Sequence, residues 1–293
     1  MRSACLFLAV WFASAALAQT PALVPVAPGS LSEEQIQQLI RTVADKDIEN
    51  DKKLTNYTYI EHGVEQRLDG KGQVKSTESK TYEVLEIAGE QVRRLIAKDD
   101  KPLSAKDADK EEEKIQKIID KHKNESEDDR RKEQEKQARE VEENRQFEKE
   151  VADAYDFTLV GIESIAGRDN YVIDGTPRPG FHPHVKDANL LPKFHFRAWI
   201  DKDEMQWTKL NIEAIDTVFF GLFLARIHKG TRIMIEQTRV NDEVWLPKHV
   251  VLKLDVRIAL LKELSANLDF NYRDYKKFRT DVKILPATQA ALP

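Results

Sequence analysis

Histidines are the residues of this chain whose type and spacing first suggest chemistry. His182 and His184 are separated by one residue, and His195 follows further along the chain. Two imidazoles at this spacing could ligate a metal ion if a carboxylate joined them from elsewhere in the fold. Pro179 and Gly180 instead indicate a surface turn, and no Cys pair, His-Glu-x-x-His or Asp-rich calcium loop supports a metal site. We therefore predict no metal and no cofactor.

Motifs for nucleophilic catalysis or phosphate binding are missing from the sequence. It contains no Gly-x-Ser-x-Gly elbow and no Gly-rich phosphate loop, and its single cysteine, Cys5, lies in an N-terminal apolar stretch. A carboxylate pair assembled by the fold leaves little trace in sequence, so a hydrolase of that kind stays open. The residues favour a protein that is not an enzyme, and we predict no catalytic residue.

An apolar segment from Thr217 to His228 is the most unusual part of the chain, because its large side chains follow no clean amphipathic period. One interpretation is an element buried on both faces. The other is a hydrophobic rim or lining that a ligand completes. Acyl chains suit such a lining, because they bind by burial of area, at roughly 25 cal/mol per Å², without directional contacts.

Alternation of apolar and polar residues with a period of two predicts an antiparallel sheet in the second half of the chain. Val250, Leu254 and Ile258 also share a helix face. A helix would, however, leave Leu252 and Val256 in solvent, at roughly 1.5–3 kcal/mol of lost burial each. Strands are therefore favoured, and counting such runs along the chain predicts roughly nine to eleven strands, with a Pro- and Gly-rich loop between Gly175 and Pro192. The predicted apolar ligand lining is Phe194, Phe196, Phe219, Phe220, Leu222 and Phe223, with Trp199, Trp207 and Trp245 at the rim or behind the sheet.

The N-terminus has the features of a secretory signal. Arg2 precedes an apolar stretch, and small residues end in an Ala-x-Ala pattern at Ala18, so residues 1–18 are predicted to be removed. The stretch is shorter than the ~20 residues of a membrane-spanning helix, which favours cleavage over anchoring. Cleavage would leave no thiol and no disulfide. We expect a periplasmic or otherwise extracytoplasmic protein that is not integral to the membrane.

Charge argues against nucleic acid as a partner. The chain has 46 Lys and Arg against 51 Asp and Glu, a formal charge of −5. Loss of Arg2 with the signal leaves 45 against 51, a charge of −6. A mildly acidic chain without a basic patch lacks the electrostatic footprint of a nucleic-acid-binding protein.

The region after the signal is predicted to begin with a leader and a helix. Residues 19–30 are rich in Pro and Ala and indicate a flexible leader. Ser32 is then an N-cap and Gln35 its capping-box partner. A one-sided stripe predicts that this helix covers an apolar surface, as a lid over a sheet would. The stripe consists of Ile36, Leu39, Ile40, Val43 and Ile48.

A hairpin signal and a highly charged segment follow the helix. Strands are predicted over 57–68 and 74–87 around an Asp-Gly-Lys-Gly turn, with a third over 91–97. Residues 104–154 are then mostly charged, Gln, Asn or Ala, and Ser104 and Ser126 each resemble a helix start. We predict an inserted helical hairpin or one long, poorly packed helix. It is either a docking arm for an envelope protein or a solvated insertion.

Two segments carry a family resemblance. Residues 199–207, a strand–turn–strand with Trp at both ends, and residues 241–248, which include Trp245, resemble outer-membrane lipoprotein-sorting sequences. The order of signal, amphipathic helix and long sheet is similar to the periplasmic LolA-like carrier superfamily, which includes the RseB-type sensor domain. The likeness covers residues 32–97 and 157–284. It implies an unclosed β-barrel around helices, with an apolar cavity that accepts acyl chains.

The sequence therefore predicts an α+β fold, an antiparallel half-open β-barrel wrapped round the N-terminal helix with an inserted charged helical hairpin. This domain is expected over residues 31–285, with a tail over 286–293. The predicted function is non-enzymatic binding or carriage of lipid or lipoprotein acyl chains. The alternative is an envelope interaction or sensor module that uses residues 104–154.

Overall fold

The computed structural model describes residues 24–25, 31–220, 225–258 and 262–277. The helices are α1 (Glu33–Leu54), α2 (Ala105–Lys123), α3 (Glu127–Ala154) and a 3₁₀ helix (Lys186–Lys193). The strands are β1 (Val24–Pro25), β2 (Tyr57–Leu68), β3 (Val74–Ile87), β4 (Glu90–Lys98), β5 (Lys101–Pro102), β6 (Tyr155–Ile165), β7 (Arg168–Pro177), β8 (Phe194–Asp201), β9 (Trp207–Ala214), β10 (Val218–Phe220), β11 (Ala225–Ile227), β12 (Arg232–Val240), β13 (Val244–Ile258) and β14 (Lys262–Lys277).

All of these strands belong to one antiparallel sheet. Its order is β1-β6-β7-β8-β9-β12-β13-β14-β2-β3-β4-β5, with the β10–β11 hairpin attached beside β13. Over the described residues the path is open, because β1 and β5 are its two ends. The predicted α+β class with a half-open antiparallel sheet and an inserted helical hairpin is confirmed.

The strand prediction is confirmed for the segment around Val250 and Leu254, whose apolar residues could also have lain on one face of a helix. β13 pairs with β14 so that Val250 faces Phe270 and Leu252 faces Leu268. Apolar residues of neighbouring strands therefore share one face, as a period of two requires. The first hairpin has the predicted bounds, and Asp69 closes its turn by accepting hydrogen bonds from two backbone amides.

The start of α1 is the predicted capping box. Ser32 Oγ accepts a hydrogen bond from the Gln35 backbone N–H at 3.3 Å, and Gln35 Oε1 accepts one from the Ser32 N–H at 2.8 Å. The buried side of the helix consists of Ile36, Leu39, Ile40, Val43 and Asn50. These apolar residues belong to the largest core cluster, together with residues of β6, β7 and β8.

The charged segment forms two helices, so the alternative of one long helix is wrong. Ser104 and Ser126 cap α2 and α3 by accepting hydrogen bonds from the backbone N–H groups of Asp107 and Asp129. α2 packs through Ile115 against apolar residues of β3 and β4. The C-terminal part of α3 packs against α1 and the 3₁₀ helix. The hairpin is therefore attached to the body at both of its ends.

Three further details of the sequence prediction change. Nine to eleven strands were predicted, whereas the described residues form fourteen, because β1, β5, β10 and β11 have only two or three residues. The Pro- and Gly-rich segment 175–192 is not a loop throughout, since β7 extends to Pro177 and the 3₁₀ helix begins at Lys186. In segment 217–228, Val218 is buried and Phe219 is 47% exposed, so these two residues alternate as on a strand with one covered face.

The described helices include none that is long and apolar enough to cross a membrane. The predicted signal peptide, the predicted tail and most of the predicted leader lie outside the described residues. Within the leader, Val24 pairs with Ile162 of β6.

Candidate ligand-binding cavity

A cavity of about 390 Å³ lies between α1, α3, the 3₁₀ helix and the face of β8 and β9. This volume falls in the ~300–1,000 Å³ range of small-molecule sites. Its walls are almost entirely apolar. The lining residues are Ile40, Val43, Ala44, Asp47, Phe147, Glu148, Val151, Tyr155, Leu190, Leu191, Phe194, Phe196, Ala198, Ile200, Trp207, Leu210, Ile212 and Ile233.

The two helices present the cavity with residues at helical spacing. On α1 the lining residues run from Ile40 through Val43 and Ala44 to Asp47, which places them on one side of the helix. On α3, residues 147, 148 and 151 share a side in the same way. The inserted hairpin therefore supplies a wall of the cavity, which its charged composition did not indicate.

The floor is fixed by a ring that lies over a glycine. Phe196 pairs with Gly175 across β7 and β8, and a Cβ built on Gly175 would lie 2.4 Å from Phe196 Cζ. Any side chain at position 175 would therefore displace the ring. Tyr155 packs edge-on against Phe196 with ring centroids 4.7 Å apart, and its hydroxyl donates to the Leu191 carbonyl oxygen at 2.7 Å. These contacts hold the rings on the cavity floor.

The apolar lining continues along the sheet beyond the cavity. Two rows of directly paired residues run from β8 across β9, β12 and β13 to β14 without a break in register. The rows are Phe196–Ile212–Ile233–Leu252–Leu268 and Ala198–Leu210–Ile235–Val250–Phe270. Phe196 and Ala198 are buried, whereas the remaining members are only partly covered. The cavity is thus the covered end of these two rows, which together we call the apolar trough.

Two carboxylates are the only charged side chains among the cavity-lining residues that the structure describes. Burial raises the pKa of Asp47, although hydrogen bonds from Trp207 and Gln206, the latter at 2.9 Å, partly offset this. Burial, followed by the negative charges of Asp47, Asp51 and Asp45, raises the pKa of Glu148 to about 7. Glu148 therefore changes its charge near neutral pH.

A polar network lies next to this acidic end of the cavity. Arg168 binds both oxygens of buried Asp201, at 2.6 and 2.8 Å, and reaches Glu204 at 3.1 Å. Arg239 binds the same Glu204 at 2.8 Å, and Trp245 donates its indole N–H to it at 2.7 Å. The network fixes the β8–β9 turn and orients Trp245 away from the cavity lining.

The structure distributes the predicted lining residues over several places. Phe194, Phe196 and Trp207 line the cavity. Trp199 lies on the opposite face of β8, where it donates to Glu163 at 2.8 Å, because odd and even residues of a strand face opposite ways. Phe219 stacks under Arg226 at 4.9 Å, away from the cavity.

Trp245 and His184 have partners that do not line the cavity. Trp245 is buried, and its backbone N–H and carbonyl oxygen are both hydrogen-bonded to the side chain of Asn50. Leu222 and Phe223 lie outside the described residues, and for Phe220 only the backbone, in β10, is described. His184 binds Glu150 at 3.0 Å, and no group of three or more His, Cys, Asp or Glu in the described ranges is arranged to hold a metal ion.

Sequence reasoning missed the helical half of the lining. Asp47 occupies the position four residues after Val43, where the apolar stripe of α1 should continue, and that interruption was the available signal. Glu148 lies between Phe147 and Val151, which face the cavity with it. Leu190 and Leu191 lie in a segment that was predicted to be a loop.

Neither the known protein families nor the curated proteins give a match to this sequence. Solved structures give matches of low similarity. A DUF1329 family protein from Desulfovibrio piger is 12% identical, with a TM-score of 0.31, over 84% of this chain and 94% of that chain. A putative outer membrane lipoprotein-sorting protein domain from Vibrio parahaemolyticus is 11% identical, with a TM-score of 0.31, over 82% and 95%. A LolA superfamily protein from Nitrosomonas europaea is 10% identical, with a TM-score of 0.28, over 87% and 96%.

Two of these matches have names that belong to the LolA-like and lipoprotein-sorting proteins that the sequence resembles. At TM-scores this low the matches carry no argument about fold, role or activity. What the site can do follows from its own geometry. It offers an apolar hollow, open along a trough, with two carboxylates at one end.

Proposed function

We propose that this chain is an extracytoplasmic binding protein that holds the acyl chain of a lipid or lipoprotein in its cavity without catalysing a reaction. The observation that carries the proposal is the apolar cavity, from whose lining two rows of paired apolar residues continue across the sheet. An acyl chain gains free energy from burial of its surface and needs no directional partner, so it matches a lining with almost no polar group.

The first test is the lipid content of the natively purified protein. Organic extracts of the full chain, expressed with its own N-terminus and purified without detergent, are examined by mass spectrometry. We expect acyl lipids at a stoichiometric level, and the purified protein should take up a fluorescent fatty-acid analogue. A protein that carries no lipid and takes up no analogue contradicts the proposal.

A cavity-filling variant makes the test specific to the site. Ala44 lines the cavity from α1, and Ala44→Trp places an indole in the hollow without burying a charge. Ala138→Trp adds the same side chain on an exposed part of α3 and serves as the control. Lipid content and uptake should fall at least tenfold in Ala44→Trp and stay unchanged in Ala138→Trp. Equal lipid content in both variants would place the ligand elsewhere.

The alternative function is a protein-interaction module that uses the helical hairpin. Every residue from 127 to 146 except Glu133 is exposed, although ion pairs within the helix, such as Asp128–Lys132 at 2.8 Å, account for its stability without a partner. Deletion of residues 104–154 cannot separate the two functions, because it removes Phe147 and Val151 from the cavity. Reversal of charge at Arg130, Lys136 and Arg139, all exposed, leaves the cavity intact. The carrier proposal requires unchanged lipid content in this triple variant, whereas an interaction module should lose cross-linking to its envelope partner.

A further inference from the structure

The charged side chains among the described cavity-lining residues are all acidic. Asp47 reaches the cavity from α1 and Glu148 reaches it from α3, so two elements far apart in sequence bring carboxylates to one place. Oε2 of Glu148 is fully buried and has no hydrogen-bond partner within the described part of the chain. Asp51, one helical turn beyond Asp47, is exposed. The acidic side chains therefore run from the cavity lining out to the surface.

Two cations of α1, Lys46 and Arg41, have partners outside the cavity lining. Lys46 follows Asp45 on α1, but its Nζ donates to the Glu204 carbonyl oxygen. Arg41, at the α1–α3 contact, pairs with Asp153 at 3.2 Å. None of the described cavity-lining residues is Lys, Arg or His. The carboxylate of Glu148 is thus left beside an apolar hollow with only other acids acting on it from α1.

We propose that the cavity selects amphiphiles whose head group carries a protonated amine, with the ammonium group against Asp47 and Glu148 and the hydrocarbon chain on the apolar walls. The inference rests on the proposed function, since it needs a chain in the cavity, and it adds the chemistry of the head group. An ammonium group supplies three donors and one positive charge, which matches two carboxylates and the unpartnered Oε2. An anionic head group would instead meet like charges in a partly desolvated place.

The test compares three ligands that share a twelve-carbon chain and differ in head charge. Dodecylammonium, dodecanoate and dodecanol are titrated into the delipidated full chain at pH 8, below their aggregation concentrations, with isothermal calorimetry as the readout. We expect dodecylammonium to bind at least tenfold more tightly than dodecanoate, with dodecanol between them. Equal affinity for all three overturns the head-group inference and leaves chain binding intact. Binding of none of them overturns the proposed function itself.

A pair of double variants separates the site from the general acidity of the protein. Asp47→Asn with Glu148→Gln removes both lining charges and keeps the side-chain shapes. Glu49→Gln with Glu143→Gln removes two exposed charges from the same two helices. The preference for dodecylammonium should disappear in the first variant and persist in the second. Loss of preference in both variants would assign it to net charge and contradict the inference.

The pH dependence gives a second readout. The pKa of Glu148 is about 7, so its carboxyl group is mostly neutral at pH 5.5 and mostly ionised at pH 8, whereas an alkylamine stays protonated throughout. The preference for dodecylammonium should therefore fall about threefold or more when the pH is lowered to 5.5. The lining double variant should show at most the smaller change that Asp51 contributes, since partial desolvation and the charge of Asp47 raise the pKa of Asp51 to about 6. A preference that is independent of pH in the unsubstituted protein contradicts the role of Glu148.

The amine could belong to a simple alkylamine or to the ethanolamine head group of a phospholipid. Lysophosphatidylethanolamine and lysophosphatidylglycerol, with matched chains, distinguish these two sources. Preference for the ethanolamine lipid shows that the phosphate beside the amine is tolerated. Exclusion of both lysolipids, with dodecylammonium still bound, restricts the site to amines without a phosphate.

Discussion

The apolar face of the sheet has a covered half on β8 and an open half on β13 and β14. The two halves differ in what covers them, although their strands have the same alternation of apolar and polar residues. On β8, Phe196, Ala198 and Ile200 lie under α1, α3 and the 3₁₀ helix and are at most 9% exposed. On β13 and β14, Leu252 and Leu268 continue the same row but keep part of their surface in solvent. An alternating strand therefore specifies which side chains share a face, but not whether that face becomes core or surface.

This difference indicates how stability and binding are divided along the sheet. The covered half belongs to the largest core cluster and should carry most of the stability. The open half exposes apolar surface to water. This exposure is unfavourable in the protein without a ligand, but the same surface is available to contact a bound acyl chain. Substitutions in the two halves should therefore have unequal effects on folding.

The largest contrast is expected between two large-to-small substitutions. Ile200 is 1% exposed, so Ile200→Ala should lower the free energy of unfolding by about 2–5 kcal/mol. Leu252→Ala, in the open half, should cost less, about 1–2 kcal/mol, because part of the side chain stays in water in the folded protein. Urea denaturation of the two variants measures both values. Equal losses would mean that the open half is covered in solution.

Two glycines, each beneath a phenylalanine ring, test the same difference between the covered and open halves with smaller expected losses of stability. Gly175→Ala brings a Cβ within 2.4 Å of Phe196, whose ring is confined by Tyr155, and should cost about 1–3 kcal/mol. Gly63→Ala brings a Cβ within 2.8 Å of Phe270, but that ring is partly exposed and can turn outward. We expect the second cost to stay below about 1 kcal/mol. Gly70→Ala, with open space around its Cβ, is the control for both.

The sequence was sufficient for the local elements because their signals are local. The cap at Ser32, the hairpin at Asp69 and the alternation through Leu252 each depend on residues a few positions apart, and each was found in the structure. Even the position of Trp199 on the face opposite Phe196 follows from their odd and even spacing.

The cavity could not be predicted in the same way, because its walls come from distant parts of the chain. Its position depends on the docking of α3 onto α1, and α3 is polar over most of its length with only a short apolar patch at Phe147 and Val151. Predicted lining residues were chosen for size and ring content, which identified Phe194 and Phe196 but not Ala44 or Asp47. The composition of α3 does not indicate that this helix packs against α1.

The smallest expected effect concerns the carboxyl group of Glu148, which lines the cavity of the covered half. The pKa of Glu148 rises from 4.5 to about 7 on folding, so the folded state holds a proton that the unfolded state releases between these values. This group therefore favours folding below about pH 4.5, and its contribution is lost as the pH rises through 7. Glu148→Gln should leave stability nearly unchanged at pH 5 and raise it by about 1 kcal/mol at pH 8, less than full burial would give, because the side chain is partly exposed.

Urea denaturation at pH 5 and pH 8 measures this effect, with Glu143→Gln on the exposed side of α3 as the control. Asp47, whose pKa is also raised by burial, should contribute with the same sign, so Asp47→Asn with Glu148→Gln should flatten the pH profile further than either change alone. If Glu148→Gln instead lowered stability at pH 8, the carboxylate would be making a favourable contact there. The acidic end would then stabilise the covered half at pH 8 instead of opposing its folding.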